Sequence, residues 1–336
     1  KWSSIEGNND GWNWGGCDNA YNYAKKHNFP FKFHCLIWGA QYPGWLDKLS
    51  TEKQYEEIVE WMDAIKRKYP DLPMIDVVNE AVPGHQPAPY KAALGGDGKT
   101  GYDWIIKAFE MAHERWPDAI LIYNDYNTFQ WQRQQFIDLV RTLRDAGAPI
   151  DAYGCQSHDL TDMNFSNFKS AMTEIQNALK MPMYSTEYDI GTSDDALQLQ
   201  RYKEQIPYMW EADYCAGITL WGYIYGRTWT TDGNSGIIKD GKDILAHKWN
   251  QSLSLLYKNE GSLPDFFTGR QGKYIGVTTS EGKQVASNYF DKIELHESGK
   301  YFITVRNGKF GALTLKMSEI VPPILDEIPV IGDNIY

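Results

Sequence analysis

Two glutamates each close an apolar run. Glu80 ends Met74-Ile75-Asp76-Val77-Val78-Asn79-Glu80-Ala81, and Glu187 falls in Pro182-Met183-Tyr184-Ser185-Thr186-Glu187-Tyr188-Asp189-Ile190. Short apolar runs of this kind read as buried strands. The C-terminal end of such a strand is where a β/α barrel exposes side chains to substrate. Two carboxylates facing each other there are the minimal machinery for cleaving a glycosidic bond: one gives a proton, the other attacks the sugar.

Further polar and aromatic groups fall at the ends of other apolar runs. The run 31–38 carries His34 and ends at Trp38, and 119–123 leads into Asn124-Asp125-Tyr126-Asn127. The run 150–157 leads to Gln156 and His158, and Asp189 lies just past Glu187. The run 216–221 ends at Trp221, with Trp229 in the loop that follows. With Asn79 and Glu80 closing 74–78, every apolar run delivers candidate groups at the same end.

The elements that must position these groups alternate. Between and after the strand patterns, helical patterns cover 51–68, 101–116, 130–146, 166–179, 194–210 and 243–256. In the first of these, Thr51 with Gln54 forms a candidate capping box. Tyr55, Ile58, Val59, Met62 and Ile65 make one apolar stripe, and Pro70 follows the end. Alternation of this kind predicts an α/β fold, a parallel sheet with helices outside. Six βα units are legible where a closed (β/α)8 TIM barrel has eight. Residues 1–30 hold one helical stretch, about 17–28, and no strand, so the first two barrel strands are expected to lie outside this chain.

Composition narrows the function. The formal net charge is −11 and there is no run of Lys and Arg, which excludes a phosphate-binding stripe and with it a nucleic-acid partner. No apolar run is long enough to span a membrane, and neither a signal peptide nor an initiator Met is present. Aromatic residues make up 14%, and Trp12, Trp14, Trp45, Trp131 and Trp229 sit in loops, where they are candidates to stack on sugar rings. Cys17, Cys35, Cys155 and Cys215 have no metal-ligand spacing and no disulfide framework. Cys35, Cys155 and Cys215 read as small buried hydrophobes.

After Gly261-Ser262-Leu263-Pro264 the character changes to short strands with Gly turns. Gly272-Lys273-Tyr274 and Gly308-Lys309-Phe310 start two similar stretches 36 residues apart, ending near Phe290-Asp291-Lys292-Ile293 and Leu325-Asp326-Glu327-Ile328. They predict two β-hairpin repeats, weakly similar to WG-type repeats, which stack on neighbours. The tail is thus expected to contact another domain or repeat, and the division falls into a barrel over 1–257 and a β-rich segment over 258–336.

The ordered segments His34-Cys35-Leu36-Ile37-Trp38, Asp76-Val77-Val78-Asn79-Glu80-Ala81, Asn124-Asp125-Tyr126-Asn127, Gln156-Ser157-His158, Thr186-Glu187-Tyr188-Asp189-Ile190 and Gly217-Ile218-Thr219-Leu220-Trp221-Gly222 resemble the motifs of glycoside hydrolase family 10, the retaining endo-β-1,4-xylanases on a (β/α)8 barrel. The resemblance covers about residues 1–255, and Lys1-Trp2 is similar to the end of the family's Glu-Asn-x-x-Lys-Trp motif, which follows the second strand. It implies Glu80 as acid/base, Glu187 as nucleophile, and His158 and Asp189 as partners of the nucleophile. It implies Asn79 on the sugar 2-OH, Lys1, His34, Trp38 and Gln156 on the glycone sugars, and Trp221 and Trp229 as the wall of the cleavage subsite. No cofactor and no metal is implied. Gly39, where many members have His, and Trp221-Gly222-Tyr223-Ile224-Tyr225-Gly226 in place of Trp-Gly-x-x-Asp depart from the family and bear on subsite preference.

The expected substrate is xylan or xylo-oligosaccharides, and a polymeric substrate implies a secreted or cell-surface protein. Two other readings use the same residues: a β-glucanase or aryl-glycosidase on this barrel, or an inactive carbohydrate-binding remnant if six strands fail to hold the carboxylates.

Overall fold

The computed structural model describes residues 1–27, 29–239, 242–243, 262–263, 266–271, 274–279, 284–317 and 319–329. They form two compact units, Lys1–Thr192 with Glu204–Gly222, and Ser193–Lys203 with Tyr223–Tyr336.

The first unit opens with α1 (Trp2–Ile5) and a small hairpin of β1 (Glu6–Asn8) and β2 (Gly11–Trp12), paired Glu6↔Trp12 and Asn8↔Gly11. This corrects the expectation of no strand before residue 31. The signal is Asn8-Asn9-Asp10-Gly11, a tight-turn sequence in which Asp10 takes φ 61°. Helix α2 (Gly15–Lys26) follows.

Six parallel strands then alternate with helices. They are β3 (Lys32–Trp38), β4 (Met74–Asn79), β5 (Ile120–Asp125), β6 (Ala152–Cys155), β7 (Met183–Tyr188) and β8 (Cys215–Leu220). The helices between are α3 (Thr51–Lys68), α4 (Asp103–Arg115), α5 (Arg133–Asp145), α6 (Phe165–Leu179) and α7 (Asp195–Glu211). The sheet order is β3-β4-β5-β6-β7-β8, with β3 and β8 at its ends. Strands β4 and β5 are buried on both faces, which is why their sequences read as continuous apolar runs rather than alternating ones.

Helix α3 spans the residues its periodicity predicts, but its cap is one residue earlier. Ser50, not Thr51, accepts from the Lys53 backbone N–H. Its stripe is centred on Ile58, Trp61, Met62 and Ile65, all fully buried, while Tyr55 at the margin is exposed. Trp61 donates to the Leu36 carbonyl at 2.9 Å, fastening the helix to β3. Cys35 and Cys155 are buried as expected, whereas Cys215, at the start of end strand β8, is only half-buried.

In the second unit β9 (Ile238–Lys239) pairs with β10 (Lys242–Asp243). Asp243 therefore ends a strand; the rest of the helix expected over 243–256 and the boundary at 257/258 lie outside the described residues. Next come two four-stranded antiparallel sheets, β11 (Ser262–Leu263), β12 (Phe266–Gln271), β13 (Tyr274–Thr279) and β14 (Gln284–Phe290), then β15 (Lys292–Leu295), β16 (Tyr301–Arg306), β17 (Lys309–Thr314) and β18 (Glu319–Leu325).

These sheets correct both the hairpin expectation and the spacing. The pairings Ile275↔Phe290, Val277↔Ala286 and Thr278↔Gln284 recur 35 residues on as Phe310↔Leu325, Ala312↔Val321 and Leu313↔Glu319, irregularities included. Matching the Gly-Lys pairs gives a spacing one residue too long, and a one-residue slip would turn every side chain to the opposite face. Ile275, Val277, Phe290, Ile293, Phe302, Leu313 and Met317 form an apolar core common to both sheets.

Candidate active site

Glu80 stands where β4 ends. Its backbone turns into the left-handed region, φ 60°, which costs a non-glycine residue about 1–2 kcal/mol. Two backbone hydrogen bonds hold it there: its N–H donates to the Asn124 carbonyl at 2.9 Å, and its carbonyl accepts from the Gln86 N–H at 2.8 Å. The turn swings the carboxyl between two donors, Trp38 Nε1 at 2.8 Å on one oxygen and Gln156 Nε2 at 2.9 Å on the other. Burial nonetheless raises the Glu80 pKa above the usual carboxylate value. The two donors pull it down, and the charges of Asp125 and Glu187 add to the rise.

Glu187, 3% exposed, has a different shell. One oxygen accepts from Asn124 Nδ2 at 2.9 Å, and the other lies 3.2 Å from His158 Nε2. The second ring nitrogen of His158 sits 2.9 Å from Asp189. Burial opposes charge on this imidazole, but the hydrogen bonds to Asp189 and Glu187, with their negative charges, outweigh it and lift its pKa to about 9. At neutral pH His158 is therefore an imidazolium that donates to both carboxylates.

Asn79 bridges the two glutamates. Its Oδ1 accepts from Asn124 Nδ2 at 2.8 Å and from Gln156 Nε2 at 3.2 Å, the same two amides that reach Glu187 and Glu80. Its Nδ2 is buried and has no hydrogen-bond partner. Asn124 Oδ1 in turn accepts from the Thr186 hydroxyl at 2.5 Å. Gly154 on β6 permits this arrangement, because a Cβ there would stand 2.4 Å from Asn124 Oδ1 and 2.8 Å from Thr186 Cγ2.

Beside the carboxylates is an aromatic group. The rings of Trp38 and Trp221 lie 5.9 and 5.5 Å from the His34 ring. Lys1 Nζ sits 5.3 Å from the Trp38 ring centre and 5.5 Å from that of Trp221. His34 is anchored through Nδ1 to Asp76 at 2.8 Å, and Lys32 binds the same Asp76 oxygen. Trp221 is fixed by its backbone N–H on the Tyr188 carbonyl at 3.0 Å.

Glu80, Glu187, His158, Asp189, Asn79, Gln156, Lys1, His34, Trp38 and Trp221 are thus joined by direct contacts in one place. Trp229 belongs to the second unit, where it is exposed. Trp12 and Trp14 do not join the group: they stack on each other at 5.4 Å and on buried Trp61 at 6.3 and 6.4 Å. Trp45 donates instead to the Glu6 carbonyl at 3.4 Å. In the sequence Asn124 stands out only as part of a strand end, and Thr186 and His85 do not stand out at all. A polar residue inside the apolar run Ile120-Leu121-Ile122-Tyr123-Asn124 was the available signal for Asn124. Among the described residues no group of three or more His, Cys, Asp or Glu is placed to hold a metal ion, and no helix is long and apolar enough to cross a membrane.

One carboxyl biased toward its proton, another faced by a cation and an amide, and an adjoining aromatic wall can perform acid-assisted displacement at a sugar carbon.

The sequence model of the family described as Glycosyl hydrolase family 10 matches residues 1–251. The chain is 43% identical over 240 residues to an Endo-1,4-beta-xylanase B of Cellvibrio japonicus, covering 71% of this chain and 38% of that protein. It is 30% identical to an Endo-1,4-beta-xylanase A of Thermoanaerobacterium saccharolyticum, covering 67% and 21%. Among solved structures, a psychrophilic glycoside hydrolase family 10 endo-beta-1,4-xylanase aligns with TM-score 0.63 and 27% identity, over 72% of this chain and 82% of that one. Native xylanase 10B of Thermotoga maritima aligns with TM-score 0.62 and 22% identity, over 72% and 79%, a likeness of fold.

Proposed function

The chain belongs to glycosyl hydrolase family 10, a (β/α)8-barrel family, and from that premise we propose that it hydrolyses the β-1,4-linked backbone of xylan with retention at the anomeric carbon. The chain spans well under half the length of the two curated relatives named above, 38% and 21%. The observation that carries the reading is the unlike environment of two carboxyls joined through Asn79: burial raises the pKa of Glu80, while Glu187 faces the His158 imidazolium.

In the first step a Glu187 oxygen attacks the sugar C1 as the glycosidic C–O bond breaks. Glu80 delivers its proton to the departing oxygen, leaving a glycosyl ester on Glu187. A retaining pair stands about 5–5.5 Å apart, close enough for both roles. With the Glu187 charge consumed in the ester, the repulsion that favoured protonated Glu80 is gone. Glu80 then takes a proton from water, the water oxygen bonds to C1, and Glu187 leaves as carboxylate.

Asn79 Nδ2, buried and without a partner, is a ready donor for the sugar 2-OH, a contact that strengthens in the transition state. His158 and Asp189 hold Glu187 in its attacking orientation. Lys1, His34, Trp38 and Gln156 bind the glycone sugar, and Trp221 forms the wall of the cleavage subsite. The reaction uses no cofactor and no metal. Since xylan does not enter a cell intact, the site of action is outside the cell.

The test is xylan hydrolysis by the parent beside Glu80→Ala and Glu187→Ala. Reducing-end release by the parent, lost in both variants, with the β-anomer of the product appearing first, is the expected result. Cleavage of cello- but not xylo-oligosaccharides, or an α-anomer first, overturns the proposal.

A further inference from the structure

His85 lies in the loop after Glu80, and no part of the mechanism above uses it. Its side chain is only 2% exposed. Nδ1 stands 2.5 Å from Asp125 Oδ1, and Nε2 stands 2.5 Å from Gln132 Oε1. That Gln132 oxygen also accepts from Asn127 Nδ2 at 3.0 Å, so it faces His85 as an acceptor. A carboxylate on one nitrogen and an amide oxygen on the other leave the ring only one way to satisfy both: it carries two protons and a positive charge.

The charged ring is stacked on Tyr126, with centroids 3.7 Å apart and planes 14° from parallel. Tyr126 has no other ring neighbour among the described residues. Its backbone N–H donates to Asp125 Oδ1 at 2.9 Å, and it follows Asn124, whose carbonyl holds the Glu80 N–H. The other Asp125 oxygen takes the Val82 N–H and the Tyr123 hydroxyl, and that hydroxyl takes the Ala81 N–H. One buried carboxylate thus ties the 80–85 turn to Tyr126, with His85 filling the space between.

We infer that His85 is a positioning residue for the sugar on the leaving side of the scissile bond: clamped between Asp125 and Gln132, it fixes the plane of Tyr126 as a stacking platform beside Glu80. The inference rests on the proposed acid role of Glu80, which puts the departing sugar on this side. A tyrosine ring held by cation–π stacking keeps its orientation before substrate arrives, so little ordering is left to occur on binding. A missing side chain at position 85 would leave Tyr126 free to turn, whereas a flat neutral ring there would hold it in part.

The experiment compares His85→Ala, His85→Phe, Tyr126→Ala and the double variant His85→Ala/Tyr126→Ala. Two substrates are used: xylohexaose, which needs a sugar on the leaving side, and 2,4-dinitrophenyl β-xylobioside, whose leaving group is an activated phenol. His85→Ala and Tyr126→Ala are each expected to lose about tenfold in kcat/KM on xylohexaose, roughly the worth of one aromatic stacking contact. On the aryl substrate the loss is expected to be several-fold smaller. The double variant should lose no more than either single one, because both remove the same platform. His85→Phe, which restores a flat neighbour, should recover part of the xylohexaose activity. Equal losses on both substrates overturn the inference, as do losses that multiply in the double variant. A parent that turns over neither substrate overturns the xylanase reading and this inference with it; a parent active on both, with variants unchanged, overturns this inference alone.

Discussion

Asn124 donates from a single amide nitrogen to Asn79 Oδ1 at 2.8 Å and to Glu187 at 2.9 Å. With Gln156 bonded to the same Asn79 oxygen and to Glu80, the two carboxyls are linked by a continuous relay of amides. Because both relay donors are spent on Oδ1, the Asn79 amide is held in this orientation, and its buried Nδ2 is left as the donor. An unpaired buried amide costs on the order of 1–3 kcal/mol, and a sugar hydroxyl arriving there would relieve it.

Asn79→Ala should therefore lower kcat on xylan by about hundredfold, the typical worth of one transition-state donor. KM should move less than threefold, because the contact strengthens at the transition state rather than at binding. Steady-state kinetics on xylohexaose checks this; a change confined to KM would mean that Asn79 only binds ground-state sugar.

The two glutamate variants should separate by nucleophile rescue. In Glu80→Ala the ester on Glu187 still forms from an activated aryl xylobioside, and added azide should attack it to give a β-glycosyl azide. In Glu187→Ala azide can only replace the nucleophile itself, giving the α-product. Each variant alone should lose about 10⁴-fold or more on xylan, in the range seen for catalytic groups removed singly. The product anomer, read by proton NMR, assigns the roles; the same anomer from both variants would sink the assignment.

The site residues were legible in the sequence because most of them stand at strand ends, where an apolar run gives way to Asn79-Glu80 or Glu187-Tyr188-Asp189 within one or two residues. What lies between strands was not. Asn124 on β5 bonds to Asn79 on the adjacent β4 and, across β6, to Thr186 and Glu187 on β7, a consequence of strand order, and Gly154 on β6 is required only because Asn124 and Thr186 meet over it. His85 is in a loop with no periodicity, and its partners are 40 and 47 residues away. Trp12 and Trp14 stand apart from the site for the reverse reason: loop composition marks exposed rings and rings stacked on a helix tryptophan alike. Capping at Ser50 rather than Thr51 shows that adjacent Ser and Thr compete for the cap, and the phase of the apolar stripe does not choose between them.

Trp38→Phe should move the alkaline limb of kcat/KM upward. Burial raises the Glu80 pKa, and the Trp38 N–H is one of two donors that work against that rise by favouring the anion. Removing the donor keeps Glu80 protonated to higher pH, so the acid form needed for the first step persists further into the alkaline range. A pH profile on xylobiosides checks the direction; a limb that moves down, or stays, would show that another group sets it.

Stability should carry the signature of His158. Its folded pKa is about 9, against 6.5 for the unperturbed group, because Asp189 and Glu187 favour the imidazolium more than burial opposes it. A raised value means that the folded state binds the proton more tightly, so the stabilisation is fully present below about pH 6.5 and is lost as pH rises through about 9. His158→Asn removes the titrating group. The difference in melting temperature between parent and variant should be largest near pH 6 and shrink steadily toward pH 10. The part that remains at high pH measures packing and the neutral hydrogen bonds; the part that disappears measures the charge. Thermal unfolding of both proteins across that range, followed by circular dichroism, decides the matter. A difference that stays constant from pH 6 to pH 10 would mean that His158 is neutral in the folded protein, and that Glu187 is oriented by a neutral imidazole instead of a cation.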